Sequence, residues 1–189
     1  ICIAANYLNA NILGIDLSIA SLAFAKRKVE ELGLKNIEFL QADILELNNL
    51  NKKFDVIECL GVLHHMKDIL KGLKILVDLL EPHGVLQIGL YSERARQAQG
   101  IIKAREFAKK NKFENSITGI RNFREAIFNE KKDLLFQKVS KVKDFYSTSS
   151  VKDLIFHVQE HRFTLPQISK ILENLHLEFL SFYDLKVKN

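Results

Sequence analysis

The most informative part of the chain is Phe54 to Met66, Phe-Asp-Val-Ile-Glu-Cys-Leu-Gly-Val-Leu-His-His-Met. It begins with an apolar run typical of a buried strand, and a glycine and two histidines follow that run. Two earlier runs have the same strand character, and each ends on an aspartate: Asn11 to Asp16 and Asn36 to Asp43. Because ligands bind at the carboxyl ends of strands in open parallel sheets, these three strand ends are the predicted ligand site.

Helical patterns separate the predicted strands. Ser18 is a candidate cap for a helix that runs to about Leu32 and stops at Gly33. A second amphipathic helix is predicted over 67–80, stopped by Glu81-Pro-His-Gly84, and a fourth strand follows over 85–91. This alternation predicts right-handed βαβ units, hence an α/β, Rossmann-like fold whose sheet is mostly parallel and has helices on both faces.

The second half of the chain changes character after Tyr91. Residues 93 to about 140 have a helical pattern, and Glu93 to Asp144 holds 14 Lys and Arg against 7 Asp and Glu. This charge indicates either a lid for an acidic substrate or a solvated helix face, and we favour the latter. Beyond a turn at 146–150, helices are predicted over 151–160 and 166–175, and a returning strand over 177–185. The predicted division is a core of residues 1–92 and 165–189, with a helical insertion over 93–164 as a lid or substrate region.

Composition narrows the class of protein. The 189 residues are 47% hydrophobic, enough for one compact core, and the net charge of +5 by itself indicates no particular partner. No apolar run has membrane-spanning length, and no nucleic-acid-binding module is recognisable, so neither partner is expected. Two cysteines cannot form a disulfide framework, so a reducing, cytoplasmic location is expected.

The three strand ends, in this order and at these intervals, resemble class I S-adenosylmethionine-dependent methyltransferases. The resemblance implies S-adenosylmethionine as the cofactor, with Asp16 accepting hydrogen bonds from the ribose diol and Asp43 from the adenine amino group. The N–H of Ile44 would face a ring nitrogen, and Leu17 would cover the ring. The segment Cys59-Leu60-Gly61 would lie along the methionine part.

The same resemblance implies methyl transfer to an oxygen, nitrogen or carbon nucleophile of an unidentified small molecule or protein. Tyr91 and Arg162 are expected on the substrate side. The candidates for positioning or deprotonating the substrate are His64, Tyr146, His157 and His161. Each of these four side chains could instead be a satisfied structural polar group.

Two departures from the family pattern matter. The Gly-rich cofactor turn lies about 20 residues before the acidic residue of the second strand, so it and the first strand are expected before Ile1. The last strand is expected beyond Asn189, and the helical insertion would lie between the fifth and sixth strands of the family. We therefore expect a fragment that holds the cofactor weakly or not at all.

The stretch 144–166 is also similar to the catalytic part of bacterial methyltransferases joined to tetratricopeptide repeats, which implies such repeats in the parent chain.

Other functions stay open at this point. A NAD(P)-dependent oxidoreductase would share the acidic strand end but would not explain Asp43, and a non-catalytic interaction domain could retain the fold. The run His157-Val-Gln-Glu-His161 matches a zinc-peptidase pattern on a predicted helix, but it lacks a third ligand. Adjacent His64 and His65 point in different directions, so no metal site is predicted from either pair.

Overall fold

The computed structural model describes residues 1–183. The strands are β1 (Ile12–Asp16), β2 (Ile37–Gln41), β3 (Phe54–Cys59), β4 (Leu80–Ile88), β5 (Tyr91–Ser92) and β6 (Arg162–Phe163). The helices are α1 (Cys2–Asn6), α2 (Ile19–Glu31), α3 (Ile69–Asp78), α4 (Glu93–Ala98), α5 (Ile101–Lys110), α6 (Ile117–Asn129), α7 (Leu134–Val139), α8 (Thr148–Val151) and α9 (Leu165–Asn174). Short 3₁₀ turns cover Ile44–Asn49, Leu63–His65 and Lys143–Tyr146. Strands and helices alternate as far as β4, and a run of helices separates β5 from β6.

Strand pairing confirms the predicted α/β, Rossmann-like class. In the described residues, β1 pairs with β2, β3 with β4 and β5 with β6, and every pair is parallel. β1 and β3 belong to different two-stranded sheets. The expectation of a further strand and a Gly-rich turn upstream of Ile1 stays a prediction.

The first half-sheet forms as the local pattern predicts. The Ser18 hydroxyl accepts the N–H of Ser21 at 3.2 Å and caps α2. The helix ends at Leu32, where Gly33 takes a φ of +66° that side chains disfavour. β1 and β2 then run in register to Asp16, which lies opposite Gln41. Both strands therefore end at the same edge.

The boundary between α3 and β4 differs from the prediction. The helix covers Ile69–Asp78 rather than 67–80, and the strand already begins at Leu80. The predicted stop at Pro82 is instead a bulge within β4. Phe54 pairs with Leu80 while Val56 pairs with Val85, so the strand carries extra residues there. Proline lacks an N–H and is tolerated at such a bulge. The predicted fourth strand also ends earlier, at Ile88, and Tyr91 lies in β5.

Two hydrophobic clusters form in the described residues. The first packs α3 against β3 and the 3₁₀ turn after β2, and its buried members are Leu47, Cys59, Leu63, Ile69, Leu73, Ile75, Leu76 and Leu79. Phe163, Ile171 and Leu175 pack against it, so β6 and α9 return to this core. The second lies within the helical segment after β5 and consists of Ile101, Ala104, Ala108, Ile120, Phe123, Ile127, Phe136, Val139, Phe145, Val151, Leu154 and Ile155.

Helix predictions in the second half are partly wrong. The segment predicted over 151–160 is helical only through Phe156, as a π-helical turn over Lys152–Phe156, and residues 157–161 are irregular. The cause is distant in sequence: the Arg105 guanidinium donates to the carbonyls of Leu154 at 3.1 Å and His157 at 2.6 Å. These carbonyls sit where a helix ends and needs outside donors. α9, by contrast, confirms its prediction.

The predicted returning strand over 177–185 is wrong for its described part. Residues 177–183 form no strand, and 184–185 lie outside the described residues. A strand is stable only when it pairs with a neighbouring strand and packs its apolar side chains. The large apolar side chains of residues 177–183 are mostly exposed instead, with Phe182 at 72%. In residues 1–183, no helix combines the length and the apolar character needed to cross a membrane.

Candidate functional site

Two carboxylates lie at the carboxyl edge of the β1–β2 pair. Asp16 is the last residue of β1, and its register partner in β2 is Gln41. Asp43 follows Gln41 by two residues. The Gln41 side-chain amide donates to the carbonyl of Leu17 at 3.1 Å, which ties the two strand ends together. The strands thus bring Asp16 and Asp43 to one edge, as the sequence predicts.

Each carboxylate uses one oxygen to shape its own loop. Asp16 Oδ1 accepts the Ser18 N–H at 2.8 Å, and Asp43 Oδ1 accepts the Leu45 N–H at 2.9 Å. Within residues 1–183, neither Oδ2 has a hydrogen-bond donor. An ionised carboxylate can accept several hydrogen bonds, so each group retains acceptor capacity for a ligand hydroxyl or amine.

Apolar side chains are exposed just after β1 and β3. Leu17 is 64% exposed and Leu60 is 42% exposed, which is high for leucine next to a strand. Gly61 adopts a φ of +76° and has open space where a Cβ would stand. Exposed apolar surface beside free carboxylate oxygens fits a nucleoside, whose base is flat and whose sugar donates hydrogen bonds. The chain's own residues therefore fit the adenosine part of the expected cofactor.

Cys59 contributes differently from the neighbouring leucine. Its side chain is buried in the first core cluster, and burial raises the pKa of the thiol. Its carbonyl accepts the Gly89 N–H at 3.0 Å. Cys59 therefore anchors the end of β3, while Leu60 and Gly61 present the surface.

His64 is enclosed next to this edge. Its side chain is 2% exposed, and Nδ1 lies 3.2 Å from the Gly89 carbonyl. Burial lowers the pKa of its imidazole, and the hydrogen bond to Gly89 offsets part of that effect. Its ring stacks on Tyr91 with centroids 3.7 Å apart. The Nε2 atom is buried and has no hydrogen-bond partner in the described residues.

Tyr91 is held between two groups. The Arg96 guanidinium carbon lies 3.5 Å from the tyrosine ring centroid, and His64 covers the ring as well. Burial raises the pKa of the phenol. With both faces covered, only the ring edge and hydroxyl of Tyr91 can meet a substrate.

A buried ion pair fixes the helical segment beside Tyr91. The Arg96 Nη2 atom lies 3.2 Å from Glu160 Oε2, and their side chains are 8% and 2% exposed. Arg105 Nη1 is 3.8 Å from the same oxygen. Burial lowers the pKa of Arg105, and Glu160 opposes that shift. This network holds residues 157–162 against the start of α4.

The irregular segment over 157–161 changes how its histidines are presented. His157 and His161 do not share a helix face, which removes the structural basis of the zinc-peptidase pattern. The N–H of His161 donates to the His64 carbonyl at 2.8 Å, and its Nε2 lies 2.7 Å from the Gln159 side-chain nitrogen. His161 therefore joins the loop after β3.

The other predicted residues fall in different places. Arg162 pairs with Tyr91 in the β5–β6 ladder, and its Nε atom forms an ion pair with Glu93 Oε2 at 2.9 Å. Ile44 begins the 3₁₀ turn after Asp43. Tyr146 is 64% exposed within the insertion, where its ring meets Phe145. The structure thus groups His64, Tyr91, His161 and Arg162, and it keeps Tyr146 apart.

Sequence reasoning missed three groups of this neighbourhood. The sequence pattern places Arg96 and Arg105 on a solvated basic helix face, yet Arg96 is only 7% exposed. The Gln159 amide donates to the Met66 carbonyl at 3.2 Å. Of this network, the sequence analysis singles out only Glu160, the acid paired with both arginines, because it is part of the run His157-Val-Gln-Glu-His161.

Two clefts on the surface of the described residues lie away from the strand ends. The larger, about 690 Å³, is lined by Asn48, Leu50, Asn51, Lys52, Lys53, Lys71, Lys74, Ile75, Asp78, Leu79 and Glu81. These residues lie toward the amino end of β3, whereas ligands of parallel sheets bind at the carboxyl ends. We therefore place the functional site at the strand ends.

Comparison with known proteins identifies the family of the chain. A family model described as a methyltransferase domain matches residues 1–100. The chain belongs to the methyltransferase-domain family. S-adenosylmethionine is the cofactor of this family of transferases, as the sequence analysis expected.

Relatives of this methyltransferase domain are longer than the chain. The ubiquinone biosynthesis O-methyltransferase of Actinobacillus pleuropneumoniae is 38% identical over 82 residues, covering 41% of this chain and 35% of that protein. An uncharacterised Synechococcus protein is 38% identical over 89 residues, covering 47% of this chain and 21% of that protein. PKMT2 from Rickettsia typhi has a TM-score of 0.73 at 21% identity, over 92% of this chain and 35% of PKMT2. This last likeness shows the fold.

Proposed function

We propose that this domain transfers a methyl group from S-adenosylmethionine to an oxygen, nitrogen or carbon nucleophile. The observation that carries the proposal is the pair of carboxylates, Asp16 and Asp43, at the carboxyl ends of two register-paired parallel strands. Support comes from the family match and from PKMT2 of Rickettsia typhi, which is also known in complex with AdoHcy.

The chain's own residues would bind and orient the cofactor. Asp16 accepts the ribose hydroxyls and Asp43 the adenine amino group, each through the oxygen that its loop leaves free. Leu17 covers the adenine, the Ile44 N–H meets a ring nitrogen, and Leu60 with Gly61 borders the methionine part. Such positioning for in-line attack is the protein's main contribution to a transfer of this kind.

When bound, the cofactor would supply a methyl group activated by the positive charge of its sulfur, for transfer to the lone pair of the acceptor. The group of His64, Tyr91, His161 and Arg162 would form the acceptor side. His64 is too enclosed in the described conformation to meet solvent directly, so we assign it to positioning Tyr91 through their stacked rings.

The test compares two asparagine variants with a matched control. Asp16→Asn and Asp43→Asn keep the oxygen that accepts Ser18 or Leu45, so each loop retains its turn. Loss of a charged acceptor should weaken S-adenosylhomocysteine binding by about 10- to 100-fold. The control is Asp144→Asn, an exposed aspartate of the insertion. Calorimetric titration of each variant, made in the native protein, measures the effect.

Unchanged affinity in both variants would contradict the proposed site. An equal loss in Asp144→Asn would show that the effect comes from net charge rather than from the strand ends. Circular dichroism of the three variants confirms that each is folded.

A further inference from the structure

Three potential metal ligands from distant parts of the chain meet beside the loop after β3. They are His65, Asp153 and His157, and one ligand atom of each lies within 4.8 Å of the other two. His65 Nε2 and Asp153 Oδ1 are 3.1 Å apart. The imidazole rings of His65 and His157 lie against each other with centroids 3.7 Å apart.

A single carbonyl orients both imidazoles. The Gln159 oxygen lies 2.9 Å from His65 Nδ1 and 2.7 Å from His157 Nδ1. Because a carbonyl oxygen only accepts, His65 Nδ1 donates to it. His157 Nδ1 lies between this carbonyl and the Gln159 N–H, which is 3.2 Å away, and it donates at the shorter of the two contacts, the carbonyl. Metal-binding histidines are commonly fixed in this way, by a backbone carbonyl on the nitrogen that does not bind the ion. The second nitrogen of each ring is then free to bind.

The His65 nitrogen that faces the cluster has no hydrogen bond of its own. Nε2 is buried and without a partner of good geometry in the described residues, although Asp153 Oδ1 is 3.1 Å away. An unprotonated nitrogen and a carboxylate oxygen repel each other at that distance. A cation between them removes the repulsion, and Asp153, half exposed, leaves a path from solvent.

We propose that His65, Asp153 and His157 form a binding site for a divalent transition-metal ion of the zinc class. Two imidazole nitrogens and one carboxylate oxygen suit such ions, and three protein ligands leave one position for water. Bonds of about 2.0–2.2 Å require the ligand atoms to draw closer, which the half-exposed Asp153 side chain can accommodate. The ion would join the loop after β3 to the insertion.

The three ligands come from both histidine pairs and from a third position in the chain. Neither the pair His64–His65 nor the pair His157–His161 forms a site alone. The fold instead combines one histidine of each pair and adds Asp153, which no sequence pattern connects with them. The site is independent of the proposed cofactor residues.

Zinc binding tests the proposal directly. The parent protein for this test carries Cys2→Ser, because that thiol is exposed. ZnCl₂ is titrated into this parent and into three variants of it. We expect one zinc ion per chain and a rise in melting temperature on binding. Asp153→Asn and His157→Asn should each weaken binding at least about tenfold, the lower limit reported for groups one shell further from a metal.

The matched control is His176→Asn, which removes a histidine outside the cluster. His176 has a φ of +54°, and asparagine tolerates that conformation well. Its zinc affinity should equal that of the parent. Zinc binding that is equal in all variants, or absent in the parent, would overturn the proposal.

Discussion

Replacing Glu160 with glutamine should lower the free energy of unfolding by about 3–5 kcal/mol, because it leaves a buried arginine without its counter-charge. Arg96 is 7% exposed, and the Glu160 carboxylate 3.2 Å away is the acid paired with it. Arg105, at 3.8 Å, loses the same partner. Denaturant unfolding followed by circular dichroism measures the change.

A second ion pair supplies the control for this prediction. Glu93 pairs with Arg162 at 2.9 Å, but their side chains are 39% and 29% exposed. Because exposed pairs contribute little, Glu93→Gln should cost about 0–1 kcal/mol. Equal losses in the two variants would contradict the assignment of Glu160 to a buried network. Combining Glu160→Gln with Arg96→Met should restore much of the stability, since it removes the stranded charge.

Replacing Phe123 with alanine should cost about 3–5 kcal/mol, the usual range for a large aromatic residue in a packed core. Phe123 is fully buried in the second hydrophobic cluster. Its ring contacts those of Phe113, Phe145 and Phe156 at centroid distances of 5.7, 6.2 and 5.5 Å. Thermal and denaturant unfolding measure the loss.

The same helix provides the matched variant for Phe123. Phe128 lies on α6 as well, but it is 47% exposed. Phe128→Ala should therefore lose less than half as much stability, because burial sets the size of the effect. If the two alanine variants lost equal stability, the described packing of the insertion would be wrong.

Local patterns predicted the features that depend on local interactions. The first three strands and α2 follow from apolar periodicity, from the Ser18 cap and from Gly33. The convergence of Asp16 and Asp43 followed because parallel strands present their carboxyl ends at one edge. These features need no knowledge of distant partners.

The features that prediction missed depend on contacts between distant residues. The early start of β4 depends on its register with β3, which accommodates Pro82 in a bulge. The end of the π-helical turn depends on Arg105, about 50 positions earlier in the chain. A charged residue on an amphipathic helix is normally predicted to face solvent. Arg96 is buried because the fold places Glu160 beside it, and nothing in the sequence pattern indicates that contact.

Binding of two nucleotide-like ligands, S-adenosylhomocysteine and NADH, distinguishes a methyltransferase from an oxidoreductase. S-adenosylhomocysteine and NADH are titrated separately, by calorimetry, into the chain extended upstream by its native sequence, where the Gly-rich turn is expected. We expect one bound S-adenosylhomocysteine per chain and weaker or no binding of NADH, because Asp16 and Asp43 together can accept hydrogen bonds from the ribose and the adenine of the first ligand. Tighter binding of NADH, or no binding of S-adenosylhomocysteine, would contradict that expectation.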